Sequence, residues 1–276
     1  MTELVHELDE VSDYRAPLTG AVGLVPTMGA LHAGHLALID AARAECEHVI
    51  VSIFVNPMQF DRAADLERYP RPVAADVELC RQRHVDLVWN PSADAMYPNE
   101  RNQVWVTAAE LANQLEGPNR PGHFDGVLTV VTKLFSLVGP DRAYFGEKDY
   151  QQLVLIRRLV ADLNLRPEIR AVPTVRESDG LALSSRNIFL DPQQRRSAPV
   201  LFKALKRGRD AAGDAVAVLN SAHAELSAAE GVDVDYLELR DPDLGPAPTA
   251  GPARLLVAAR LGSTRLLDNI ALELRP

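Results

Sequence analysis

Short apolar runs alternate with longer amphipathic ones along the first 175 residues. Ala21–Val25 reads as a strand, and Gly34–Glu45 follows it with helical length. His48–Val55 (HVIVSIFV) is continuous and β-branched, as a strand covered on both faces must be. Ala74–Arg83 has helical period, and Val85–Trp89 is a short strand. Asp125–Val138 predicts a helix stopped by Gly139-Pro140, with Asp125 a sufficient N-cap. Ala143–Phe145, Gln151–Leu163 and Ile169–Val172 continue the series as strand, amphipathic helix and strand.

This alternation predicts an α/β fold, a Rossmann-like doubly wound parallel sheet whose ligands gather at the carboxyl ends of the strands. The pattern changes after Val175. Asp191–Asp210 carries several arginines, and an Ala-rich helical face runs from Ala211 to Glu230. Val232–Leu239 and Arg254–Ala259 read as strands joined by a Pro/Gly-rich loop, with Asn269–Leu274 as a last strand. Two domains are expected, 1–174 and a smaller α+β C-terminal domain, 175–276.

Composition narrows the function classes. At 47% hydrophobic and 24% charged, the chain is of ordinary globular type. No apolar run reaches the roughly 18 residues of a membrane span, so no membrane partner is expected. Residues 1–10 hold four acids and no Lys or Arg, unlike a signal or transit peptide. Cys46 and Cys80 lie far apart in helix-like segments, which points to buried free thiols and a reducing, cytoplasmic setting. A net charge of −9 disfavours nucleic acid as a partner. Only Lys133, Lys148, Lys203 and Lys206 are lysines among 29 basic residues, so a lysine inside a motif is informative.

The motif Pro26-Thr27-Met28-Gly29-Ala30-Leu31-His32-Ala33-Gly34-His35 joins a strand to a helix start. A helix N-terminus offers free N–H groups and a positive dipole end to phosphates, and residues at i and i+3 share one helix face. His32 and His35 are therefore candidate phosphate ligands. Phe145-Gly146-Glu147-Lys148-Asp149-Tyr150-Gln151-Gln152 also follows a strand and brings a point charge with polar readers. Leu183-Ser184-Ser185-Arg186-Asn187 could close over a triphosphate, with Gly180 as a hinge. Asn56 and Gln59, after the second strand, could read hydroxyls or a carboxylate. A nucleotidylyltransferase, a tRNA-charging enzyme or a non-catalytic ATP-binding protein could share the histidine pair.

PTMGALHAGH, IFVNPMQF, GHFDGVLTVVTKLF, FGEKDYQQL, VPTVRE, LALSSRN, DYLELRD and LLVAARLGSTRLLDN occur in that order. Together they resemble the pantoate–β-alanine ligase family over residues 20 to 270. The resemblance implies an ATP-dependent ligase that joins pantoate to β-alanine through an enzyme-bound pantoyl-adenylate, releasing AMP and pyrophosphate. It makes 1–174 the ATP- and pantoate-binding domain and 175–276 a lid, and it implies a homodimer with Mg²⁺ on the triphosphate. Met28, Gly29, Ala30, Leu31, His32, Ala33, Gly34 and His35 correspond to the ATP-binding turn, with His35 in the place of the family's proton donor. Gly146, Glu147, Lys148 and Asp149 would hold ATP, Val175 would meet adenine through its backbone, and Leu183, Ser184, Ser185 and Arg186 would bind phosphate. Gln59 and Gln152 correspond to pantoate contacts, and Asn56 and His123 are placed with them.

Two positions depart from the family pattern. Ala75-Asp76 stands where an acidic pair is usual, leaving Asp76 alone as an expected metal contact. Leu183 replaces a usual Met, a volume-conserving change.

Overall fold

The computed structural model describes residues 2–60, 63–98, 104–211 and 213–275. In chain order its elements are β1 (Glu3–Val5), α1 (Leu8–Arg15), β2 (Val22–Thr27), α2 (Ala33–Glu45), β3 (His48–Ile53), α3 (Ala63–Arg68) and α4 (Val73–Gln82). Then come β4 (Leu87–Trp89), α5 (Ala93–Met96), α6 (His123–Val138), β5 (Arg142–Gly146), α7 (Tyr150–Asp162) and β6 (Glu168–Val172). The remainder is α8 (Pro192–Ser197), α9 (Val200–Asp210), α10 (Ala215–Ser227), β7 (Asp233–Arg240), β8 (Gly251–Leu261) and β9 (Thr264–Leu274). These pack as two units, 1–147 with 151–173, and 148–150 with 174–276.

The first unit is a six-stranded sheet, ordered β1-β4-β3-β2-β5-β6, with every neighbouring pair parallel. The doubly wound parallel sheet expected from the alternation is present. Strands β2, β3 and β4 progress in one direction, and β5 and β6 lie on the other side of β2. Sheet order thus reverses between β2 and β5, and the crevice at such a reversal is where open α/β sheets hold ligands. β3 pairs on both sides, which explains why Val49, Ile50 and Val51 are fully buried and why its sequence shows no polar alternation.

Several boundaries differ from the sequence reading. β3 ends at Ile53 rather than Val55, because the Asn56 side chain starts a 3₁₀ turn, Pro57–Gln59, by accepting from Met58 N–H. α6 begins at His123, preceded by Gly122 in the left-handed region (φ 76°). Asp125 is therefore a first-turn acid that favours the helix dipole, not the N-cap. β1 and α1 were not anticipated: three residues with only Val5 buried carry no readable period.

The second unit is an antiparallel sheet, β7-β8-β9. α9 and α10 cover it, and Leu201, Leu205, Val218 and Leu226 pack with Leu255 and Val257 in its core. β8 and β9 form one long hairpin, so the last strand begins at Thr264 and not at Asn269.

Candidate active site

In the first unit, Thr27 ends β2 by donating from Oγ1 to Ser52 O (2.8 Å) and accepting from Gly29 N (3.2 Å). Gly29 (φ 79°) and Ala30 (φ 50°) then take successive left-handed conformations. That region is easy for glycine and strained for alanine. The strain is held by Asp76 on α4. Its Oδ2 accepts from Ala30 N–H (2.9 Å) and its Oδ1 from Leu31 N–H (2.8 Å). The carboxylate is only 1% exposed. Burial pushes its pKa up, and the two backbone donors oppose that. Asp76, the expected metal contact, is closed to solvent and bonded through both oxygens to the backbone of the turn, which it anchors.

His32 follows as the N-cap of α2, with Nδ1 accepting from Gly34 N–H (3.1 Å). His35 Nδ1 accepts from His32 N–H (3.3 Å), and the two rings lie 4.1 Å apart, tilted by 34°. The His-x-x-His spacing is thus a capping box with imidazoles in place of Ser and Glu. The consequence is chemical. When Nδ1 of a neutral ring accepts, the proton sits on Nε2, so both rings carry an Nε2–H donor.

Asn56 and Gln59 stand beside this turn. Asn56 is 1% exposed and uses all of its amide. Oδ1 accepts from Met58 N–H (3.2 Å) and Tyr97 O–H (2.9 Å), while Nδ2 donates to Gly126 O and Gln59 Oε1 (both 3.1 Å). Asn56, expected at the substrate, spends these bonds on supporting the Gln59 loop. His123 is likewise buried: Arg120 donates to its Nε2 (2.9 Å), so its Nδ1–H donates to Gln59 O (2.9 Å). It too supports the Gln59 loop. Gln59 Nε2 donates to Met28 Sδ (3.0 Å), joining the loop to the turn after β2.

Gly126 permits this packing. A Cβ there would lie 2.3 Å from Met58 O. Overpacking of this kind costs roughly 1–3 kcal/mol. Gly126→Ala is expected to lower Tm by about 5 °C in a thermal melt.

On α7, Gln151 is buried, accepting from Glu116 N–H (3.0 Å) and donating to Leu111 O and Gln114 O (both 2.8 Å). Its neighbour Gln152 is partly exposed and leaves the helix about 100° around the axis, off that contact. Gly146 closes β5 and Glu147 opens the 3₁₀ turn Glu147–Asp149.

The second unit takes residues 148–150 for itself. Asn269 Nδ2 donates to Lys148 O (2.9 Å), and Tyr150 O–H donates to Pro242 O (2.9 Å). Arg254 lies 3.9 Å over the Tyr150 ring and donates from Nε to Asn269 Oδ1 (2.7 Å). Asn269 and Arg254 were not singled out from sequence, although both lie in or beside the LLVAARLGSTRLLDN run.

A small pocket in this unit is lined by Lys148, Ser184, Arg186, Arg265 and Asp268 among apolar side chains. Asp268 holds Arg176 through both oxygens (2.5 and 2.9 Å), while Arg265 pairs with Asp235 (2.5 Å) and Lys148 with Asp149 (3.5 Å). Ser184 Oγ accepts from Arg186 N–H (3.2 Å), and Ser185 starts the 3₁₀ turn Ser185–Phe189. Leu183 N–H donates to Val175 O (3.0 Å), which aligns those two segments. Gly180, the expected hinge, lies in a turn braced on several sides. Arg195 bridges Glu177 and Asp179 (both 2.6 Å), Arg176 donates to Gly180 O (3.1 Å), and Phe202 packs beneath.

Comparison with known proteins follows the same lines. A family model for pantoate-beta-alanine ligase matches residues 2–271. Pantothenate synthetase of Salinispora arenicola is 54% identical over 280 residues, covering 100% of this chain and 99% of that protein. The enzyme of that name from Mycolicibacterium smegmatis is 58% identical over 252 residues, covering 91% and 80%. The crystal structure of the Thermus thermophilus pantothenate synthetase superposes with a TM-score of 0.91 at 46% identity, covering 97% of this chain and 98% of that one. A Francisella tularensis pantoate-beta-alanine ligase, solved with beta-gamma ATP and β-alanine, superposes at 0.82 with 35% identity, covering 98% and 97%. With a family model spanning nearly its whole length and relatives above half identity, this chain belongs to the pantoate–β-alanine ligase family.

Proposed function

We propose that the chain condenses pantoate with β-alanine, forming pantothenate, AMP and pyrophosphate from ATP, and that the histidine capping box carries the first step. The single observation behind this is that both Nδ1 atoms are engaged by backbone N–H groups, so two Nε2–H donors lie on rings 4.1 Å apart at the start of α2. In the first step a pantoate carboxylate oxygen attacks the α-phosphorus, the P–O bond to pyrophosphate breaks, and pantoyl-adenylate forms. His32 and His35 donate to phosphate oxygens as charge builds there, with His35 nearest the proton-donor role. Lys148, Arg186, Ser184 and Ser185 bind phosphates, Gly146 to Asp149 and Val175 hold the nucleotide, and Gln59 and Gln152 hold pantoate. In the second step the β-alanine amine attacks the acyl carbon, AMP leaves, and an amide remains. No enzyme nucleophile is needed, and catalysis is positioning plus charge stabilisation.

Among the described residues no group of three or more His, Cys, Asp or Glu could hold a metal. Mg²⁺ would enter with the triphosphate, where the ion would neutralise phosphate charge. A homodimer and a cytoplasmic setting complete the proposal, the latter supported by two buried free cysteines. Among the described residues no helix is long and apolar enough to cross a membrane.

The test is a coupled assay with ATP and Mg²⁺. Pyrophosphate and AMP should appear only when pantoate is present, and pantothenate only after β-alanine is added. AMP formed equally without pantoate, or no pantothenate at all, would defeat the ligase assignment.

A further inference from the structure

The Gln59 amide is held in one orientation by a chain of hydrogen bonds that starts outside the site, at Tyr97. Asn56 links the two. Its own orientation is dictated by two backbone groups: Gly126 C=O requires an N–H, and Met58 N–H requires an oxygen. A flipped Asn56 would set oxygen against oxygen and N–H against N–H. The second Nδ2 hydrogen therefore meets an acceptor on Gln59, which must be Oε1. That leaves the Gln59 amino end to point away, with one N–H on the weak acceptor Met28 Sδ. Tyr97 O–H supplies the second donor to Asn56 Oδ1 and completes the node. Tyr97 is itself fixed: its ring packs 6.0 Å from that of Phe54, and Lys133 Nζ lies 5.8 Å from its face. Burial raises the phenol pKa, so the hydroxyl stays a donor.

We propose that Tyr97 is a positioning residue that, through Asn56, makes Gln59 meet the acid substrate with its NH₂ end, as a donor to a pantoate oxygen. The inference rests on the assignment of Gln59 to the pantoate subsite. Removing the hydroxyl leaves Asn56 Oδ1 with one donor; Gly126 C=O and Met58 N–H still set its sense, but the node is held less firmly and so is the Gln59 amide it orients. The loss falls mainly on pantoate, because Tyr97, Asn56 and Gln59 are assigned to no ATP contact and the chain reaches the ATP-binding turn only through the weak acceptor Met28 Sδ.

Tyr97→Phe tests it in steady-state kinetics with both substrates varied. The KM for pantoate should rise about tenfold, the weight of one well-placed hydrogen bond, with the KM for ATP and Tm near wild type. An unchanged pantoate KM, or equal rises in both KM values, would overturn the proposal. If the variant does not fold, the wild-type protein still decides. Its ¹⁵N-labelled Gln59 side-chain amide, assigned by its loss in Gln59→Leu, should shift when pantoate is added. No shift would overturn the proposal. The wild-type coupled assay separates the outcomes: pantoate-dependent AMP formation with a silent Tyr97→Phe sinks only this inference.

Discussion

His35→Ala is expected to lower kcat/KM for pantoate activation by at least 100-fold, about 2.7 kcal/mol, the usual weight of one preorganised donor at a developing oxyanion. Two functions are lost together, because His35 Nδ1 also accepts from His32 N–H. His35→Asn separates them. An Asn side-chain oxygen can still cap that N–H, while the Nε2–H donor is gone. If the donor carries catalysis, both variants fall by a similar factor and His35→Asn keeps the wild-type Tm. Lys148→Ala should show a comparable loss from the pocket of the second unit that Lys148 lines, where its backbone is held by Asn269. A near-wild-type rate in either His35→Ala or Lys148→Ala removes that residue from the mechanism.

Asp76→Asn is expected to cost about 2 kcal/mol of stability, lowering Tm by about 4–8 °C, and to reduce kcat/KM by roughly tenfold. An amide offers one oxygen where the turn needs two acceptors, so either Ala30 or Leu31 N–H is left facing an NH₂ group. The left-handed Ala30 then loses the contact that holds it, and the histidine cap two residues on loses its fixed approach. Differential scanning calorimetry and Mg²⁺ titration of the activity together decide the matter. The Mg²⁺ midpoint should stay put while Tm falls. A Tm unchanged beside a shifted Mg²⁺ midpoint would return this carboxylate to the metal.

The sheet was legible because burial on both faces writes a simple signal. β3 must be apolar throughout to sit between β2 and β4, and HVIVSIFV is. The strand-end position of the His-x-x-His turn followed from the same pattern. Roles within the site were less legible, because polar residue type does not say which way a side chain is used. Asn56, His123 and Asp76 have the right chemistry for ligand contact, yet each is buried and bonded to backbone. Tyr97 lies 41 residues from Asn56, and no local spacing joins them.

The sequence by itself determined the parallel α/β class, the family and the set of motifs, since periodicity, turn residues and motif order are local properties of the chain. The tertiary structure alone decided where the reversal of strand order falls, which tautomer each neutral histidine carries and which backbone groups the polar residues bond. Those depend on partners distant in sequence: an Asp on α4 for the turn, a carbonyl on α6 for the Asn56 amide, an Asn on β9 for Lys148. A hydrogen bond has direction, and direction is set only when both partners are in place.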